Sequence, residues 1–338
     1  MLFFWRYFTM HMADALVSPG VALTMYTASA VVAAYSIKKV REENNPRKIP
    51  LMGIMGAFVF ASQMLNFTIP GTGSSGHLCG SMLLAALLGP QAAFLTMIGI
   101  LAIQCLLFAD GGLLALGCNI WNMAFYGCFV GGLLIWQPLL RHGVSKMRII
   151  VASMLGSIFT LQLGAFSVVL ETTASGITEL PFSAFALTMQ GIHLAIGAVE
   201  GAIIASVLLF IYQARPELLA GHSGAASGNY SFAQTLAALA GATAIAGGGL
   251  SLVASENPDG LEWSLEKIAG TAELEGNGLW HAAAAQLQEL TALLPDYAFP
   301  GSESAWGTIF SGLFGSALVV CLCLACCYLF KLFKHNEA

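Results

Sequence analysis

Charge is what this sequence has least of. Only 9% of its 338 residues are Asp, Glu, Lys or Arg, against roughly 25% in an ordinary soluble domain, while 57% are hydrophobic. A chain of that composition cannot dress its core in a water-facing surface, so it is an integral membrane protein. The net charge of -5 is thinly spread. No Lys/Arg-rich run extends beyond the neighbourhood of Lys38 to Lys48, so nothing points to nucleic acid. A G-x-x-x-x-G-K-[ST] phosphate loop is missing, and any ATP-driven work would need an ATPase in another chain. No HExxH motif or catalytic pair appears either, and the chain is not expected to be an enzyme. There is no internal repeat between the first seven apolar stretches and the last two, which argues against an inverted-repeat secondary transporter. Cys105, Cys118, Cys128 and the cluster Cys321, Cys323, Cys326 and Cys327 all lie in apolar runs, so disulfides are not expected. Residues 1–9, MLFFWRYFT, lack a long enough apolar region and a small-residue cleavage site, and do not read as a signal peptide.

What is present is apolar length. Stretches suited to crossing a bilayer, which takes about 20 residues, fall at 18–37, 50–68, 76–89, 90–108, 112–139, 149–170, 184–213, 232–254 and 306–330. The stretch 76–89 is short and follows a Gly/Ser loop, so it reads as partly re-entrant. Alternating spans place Lys38, Lys39, Arg41, Arg47, Lys48, Arg141, Lys146, Arg148, Arg215, Lys331 and Lys334 on one side, with Arg6 and Lys267 the exceptions. That side is the cytoplasm. The expected fold is all-α, with about nine transmembrane helices: a seven-helix unit over 10–213 and a two-helix hairpin over 232–330 with an acidic outer loop. The polar, glycine-rich segment 214–231 reads as a flexible cytoplasmic linker, and 331–338 as a cytoplasmic tail.

The chemistry concentrates at MHMADALVSP, Met10 to Pro19. If Met10 is the first residue, its amine, the His11 amide and the His11 imidazole form two fused chelate rings, with three nitrogens in one plane. His77, in GTGSSGHLCG (Gly71 to Gly80), is the candidate for the fourth. Planar nitrogen donors select Ni(II) or Cu(II), and imidazole-rich sites also take Co(II). The alternative for His77 is a hydrogen bond to a loop carbonyl. Asp14 suits two roles equally, orienting an imidazole or capping the first helix. His193 and Glu200 share a helix face near mid-bilayer, where a carboxylate costs on the order of 2.5–3.5 kcal/mol. A protonated Glu200 bonded to a neighbouring helix is favoured over a relay or metal stop. Asn119 and Asn122, at i and i+3, are expected to support the capture loops by hydrogen bonding. Gly127-x-x-x-Gly131 and Gly197-x-x-x-Gly201 permit close helix contact, within the chain or with a membrane partner. The Cys321–Cys327 cluster reads as lipid-facing or acylated small residues rather than a relay.

Four of these segments, MHMADALVSP, GTGSSGHLCG, ADGGLLALGCNIWNM (109–123) and GIHLAIGAVEG (191–201), together resemble the substrate-binding membrane subunit of cobalt/nickel energy-coupling-factor transporters, the CbiM/NikM family. The resemblance covers roughly residues 10–213. PDGLEW, Pro258 to Trp263, is similar to the PDGLE domain of the small accessory subunit, often fused to the main one. The resemblance implies metal binding by Met10, His11 and His77, with no cofactor beyond the transported Ni(II) or Co(II). It also implies cytoplasmic ATPase subunits and a coupling transmembrane subunit as partners. The setting would be a prokaryotic plasma membrane, N-terminus out and C-terminus in. Nine residues before Met10 would convert the chelating amine to an amide, so the mature chain is expected to start at Met10. The rival reading is an autonomous secondary permease, which needs a continuous polar path. The spans offer only isolated groups such as Asn119, His193 and Glu200.

Overall fold

The computed structural model describes residues 11–43, 45, 48–221, 229–272, 274, 276–302 and 304–335. Its helices are α1 (Pro19–Glu43), α2 (Lys48–Gln63), α3 (Ser81–Leu88), α4 (Pro90–Phe108), α5 (Leu116–Asn119), α6 (Gln137–Leu140), α7 (Lys146–Ser175), α8 (Phe182–Ala214), α9 (Phe232–Gly248), α10 (Gly260–Ala269), α11 (Leu279–Thr291) and α12 (Ala305–His335). Helices α5 and α6 are the two ends of one rod, Leu116–Leu140, whose middle, Ile120–Trp136, is π-wound.

Among the described residues six helices are long and apolar enough to cross a membrane: α1, α4, the Leu116–Leu140 rod, α7, α8 and the Ala305–Cys326 part of α12. This differs from the nine full spans expected. Helices α2 and α9 are apolar but have 16 and 17 residues. At 1.5 Å per residue they reach about 24–26 Å, short of the ~30 Å hydrocarbon layer. The stretch 76–89 yields only the eight residues of α3, about 12 Å long. All eight are buried. A partial crossing is tolerable there because protein rather than lipid covers its irregular approach.

The approach to α3 also departs from an all-α fold. Strand β1 (Phe67–Ile69) pairs antiparallel with β2 (Ser74–Gly76), Phe67 opposite Gly76 and Ile69 opposite Ser74. The Gly/Ser stretch thus folds back as a hairpin instead of running straight into the span.

Helices α7 and α8 lie close because a Cβ on Gly197 or Gly201 would come within 3.0 or 2.9 Å of the Ile158 or Met154 Cα. That glycine face is therefore occupied within the chain. Helix α12 packs along α2 and α9, which joins the two-helix unit to the first domain. The linker is not wholly free either. Ala220 N–H donates to the Ala86 carbonyl at 2.7 Å, and the Trp136 indole donates to the Ala220 carbonyl at 3.0 Å. Residues 222–228 of it lie outside the described residues. The acidic outer loop is likewise structured: Leu261 and Leu265 of α10 bury against Met12, Val17 and Phe185. In the last helix Cys321 and Cys326 are exposed while Cys323 is buried; Cys327 lies outside the residues whose side chains are described.

Candidate metal-capture site

The segment after Met10 threads into the bundle, with His11 3%, Met12 1% and Val17 0% exposed. Apolar surroundings demand partners for its backbone polar groups. Asn119 supplies them from α5: its Oδ1 accepts the Met12 N–H at 3.0 Å and its Nδ2 donates to the Met12 carbonyl at 3.1 Å. Gly112 N–H donates to the same carbonyl at 3.0 Å. Asn119 thus performs the supporting role expected of it. Asn122 does not; it donates to Glu171 Oε2 at 2.7 Å. Asp14 fills neither of its expected roles and serves the 109–115 loop instead. Its Oδ1 accepts the Ala115 N–H at 2.9 Å.

The carboxylate that holds His11 is Asp110. His11 Nδ1 and Asp110 Oδ1 are 2.6 Å apart, both buried. Burial alone would raise the Asp110 carboxyl, but the facing His11 ring and the hydrogen bonds from His11 and Tyr297 offset it and hold the group below its ordinary value. The close approach needs glycine next in the chain: Gly111 sits at φ +82°, and a Cβ there would lie 2.7 Å from the His11 Cβ. On the other side of the ring, His11 Nε2 is buried with no hydrogen-bond partner. The His77 ring lies beside the His11 ring, centroids 5.6 Å apart and planes tilted by 53°. His77 Nδ1 is also 3.3 Å from the Leu78 carbonyl, the loop contact that was its alternative.

Buried side chains hold the loop that carries His77 from two sides. Gln63 of α2 donates to the Cys79 carbonyl at 2.9 Å and accepts from Gln104 of α4 at 2.9 Å. Glu200 of α8 accepts the N–H groups of Cys79 at 3.1 Å and Gly80 at 3.0 Å. The interhelical bond expected of Glu200 is thus replaced by two loop donors. His193 spends Nδ1 on the Met189 carbonyl of its own helix at 2.8 Å.

A cavity of about 100 Å³ lies between these groups, lined by His11, His77, Asn122, His193 and Asp259 among others. Among the described residues no three His, Cys, Asp or Glu side chains are gathered to hold a metal ion. Met10, the expected source of the amine nitrogen, lies outside the described residues.

The second domain closes the cavity. Ser75 N–H donates to the Pro258 carbonyl at 2.8 Å, Ser75 Oγ to the Asn257 carbonyl at 2.7 Å, and the Trp263 indole to the Thr72 carbonyl at 3.0 Å. Asp259 caps α10, its Oδ1 accepting from Leu261 and Glu262 N–H, both at 2.9 Å. Burial raises its carboxyl.

The family profile described as the cobalt uptake substrate-specific transmembrane region, CbiM, matches residues 11–218. The chain belongs to the CbiM family. A PDGLE domain profile matches residues 233–332, behind the CbiM region. The fused nickel transport protein NikMN of Rhodobacter capsulatus is 31% identical over 335 residues, spanning 92% of this chain and 95% of its own. An Archaeoglobus fulgidus protein that also carries the fused NikMN name is 34% identical over 313 residues, 93% and 96% of the two chains. A crystal structure of a truncated transition metal transporter superposes with a TM-score of 0.52 at 31% identity, covering 60% of this chain and 97% of that one. These relatives are named as nickel or transition metal transport proteins.

Sequence reasoning missed Asp110, Gln63 and Tyr297. Asp110 had a signal, an acid between a span and two glycines in a chain with few acids. Gln63 and Tyr297 had none short of the fold itself.

One neighbour of the site predicts a pH dependence. Asp296 is pushed up to about 7, first by burial and then by the Asp110 charge. A carboxyl raised from 3.8 keeps its proton in the native state after the unfolded chain has released it. Stability therefore falls as pH climbs from about 4 through 7. In the metal-free purified chain, Asp296→Asn should flatten that fall. Thermal melts of both proteins at mildly acidic and mildly alkaline pH check this, and parallel slopes would remove Asp296 as its source.

Proposed function

We propose that the chain is the substrate-capture component of an ATP-driven, energy-coupling-factor type importer, binding Ni(II) or Co(II) at its outer face. The observation that carries the reading is His11. It is a buried imidazole with one nitrogen held by a carboxylate, the other unpartnered, and a second imidazole across a small cavity. A ligating histidine ordinarily gives its second N–H to such a carboxylate, which fixes its tautomer and ring orientation. His11 and His77 supply imidazole nitrogen, and the His11 amide and the Met10 amine supply main-chain nitrogen when the mature chain starts at Met10. A chelate ring closed through the His11 amide uses Nδ1, the atom now facing Asp110. Loading by that route requires the His11 side chain to reorient as a whole, with Nδ1 released to the ion and Nε2 left for the carboxylate. Four nitrogens in a plane suit Ni(II).

The end of the bundle bearing His11, His77 and the PDGLE loop faces outward, and the basic loops face the cytoplasm. Release inward requires the coupling membrane subunit and cytoplasmic ATPases, since this chain carries no phosphate loop. Proteoliposomes test this with radioactive Ni(II) and Co(II). The chain alone should bind metal without accumulating it, and accumulation should require the partner subunits with ATP. Brisk uptake by the chain alone would favour an autonomous permease instead. N-terminal sequencing of protein from its native membrane reads the start residue directly.

A further inference from the structure

The second domain reaches past the cavity to the groups behind it. Asp110 holds His11 through Oδ1, and its Oδ2 accepts a 2.6 Å hydrogen bond from the Tyr297 hydroxyl. The phenol is the donor, since burial and the Asp110 charge push it well above its ordinary value. The Tyr297 ring is buried, stacked on Phe108 at 4.7 Å and 19°, and set edge-on to Phe60 at 6.3 Å. Phe108 ends α4 two residues before Asp110, so one platform carries both phenol and carboxylate.

The backbone shows how firmly this placement is imposed. Asp296 and Tyr297 both lie in the left-handed region, at φ 51° and 59°. Non-glycine residues stay there only where their surroundings over-determine them. The surroundings here are the first domain: Leu294 N–H donates to the Leu107 carbonyl at 3.0 Å, and Gln288 Nε2 to the Gly111 carbonyl at 2.7 Å.

We infer that Tyr297, from the PDGLE domain, is a positioning residue of the metal site. Its hydroxyl sets the rotation of the Asp110 carboxylate, and the carboxylate in turn presents the His11 ring to the ion. The inference rests on the proposal that His11 is a ligand. With Oδ2 occupied by the phenol, Oδ1 is left for the imidazole N–H. Without the phenol the carboxylate loses the bond that fixes Oδ2, and its hold on the His11 ring changes. Partners of this kind are worth roughly 10–100-fold in metal affinity, and a group one bond further out belongs at the low end.

The test uses the mature chain in detergent, its start residue read by N-terminal sequencing, as wild type, Tyr297→Phe, Asp110→Asn and the double variant. Each is titrated with Ni(II), and the ligand-field absorption of the bound ion is recorded. Phe keeps the ring stack and removes only the hydroxyl. Tyr297→Phe should bind Ni(II) about tenfold more weakly, with a shifted absorption band, and its metal-free melting temperature should fall modestly because a buried carboxylate oxygen loses its donor. In the Asp110→Asn background the same change should add no further loss, because both act through one carboxylate. Additive losses, an unchanged affinity, or a Tyr297→Phe protein that cannot be purified monodisperse would each overturn the inference in favour of plain packing. A wild-type chain that binds no Ni(II) would overturn the His11 reading itself, a different result from either.

Discussion

Replacing His77 with Ala is expected to weaken Ni(II) binding at least about tenfold and to abolish uptake, because losing a ligand should do no less than losing a ligand's partner, already worth roughly 10–100-fold. The fold should survive the change. His77 is only half-buried, and its loop is fixed by bonds to its neighbours: Gln63 and Glu200 on Cys79 and Gly80, and Ser75 on the PDGLE loop. His142→Ala is the matched control. That ring lies exposed against Arg141 in the turn between α6 and α7, and its loss should leave binding untouched. Metal titration of the purified variants decides the matter, with membrane insertion checked by their yield in the membrane fraction. Equal affinity for wild type and His77→Ala would remove His77 from the site.

The parts of this arrangement that were legible in the sequence are those written within one segment. Apolar length marked the helices, and the i, i+3 spacing of Asn119 and Asn122 marked a polar helix face. The polar MHMADALVSP segment stood out because everything after it is apolar. The missed parts depend on distance in the chain. His11 meets Asp110 across 99 positions and Asp110 meets Tyr297 across 187, and no periodicity encodes such a meeting. Span length misled for a local reason. Hydropathy continues through Leu65–Phe67 and through Leu250–Val253, but the chain leaves the α-helix there, for a short strand in one case and a 3-10 turn in the other. The Asn119 pairing with Met12 and the Asp14 bond to Ala115 show the same limit from the other side. The residue types were right for hydrogen bonding, and only the fold chose the partner.

Glu200 gives the second large effect. It was expected to bond a neighbouring helix, yet it receives two buried backbone donors, Cys79 and Gly80 N–H. Glu200→Ala leaves both buried without that partner, at about 1–3 kcal/mol for each unsatisfied group. The loop that carries His77 can relieve this only by moving, and His77, the proposed ligand two residues before Cys79, moves with it. The expected result is a drop in melting temperature together with a loss of Ni(II) affinity on the scale of removing a ligand's support, roughly 10–100-fold. Glu200→Gln separates the two contributions. Its carbonyl oxygen still accepts one N–H, while its amide group turns a donor toward the other, so both effects should fall between wild type and Ala. A Glu200→Ala chain that melts like wild type and binds Ni(II) as tightly would show that the His77 loop holds its shape without α8.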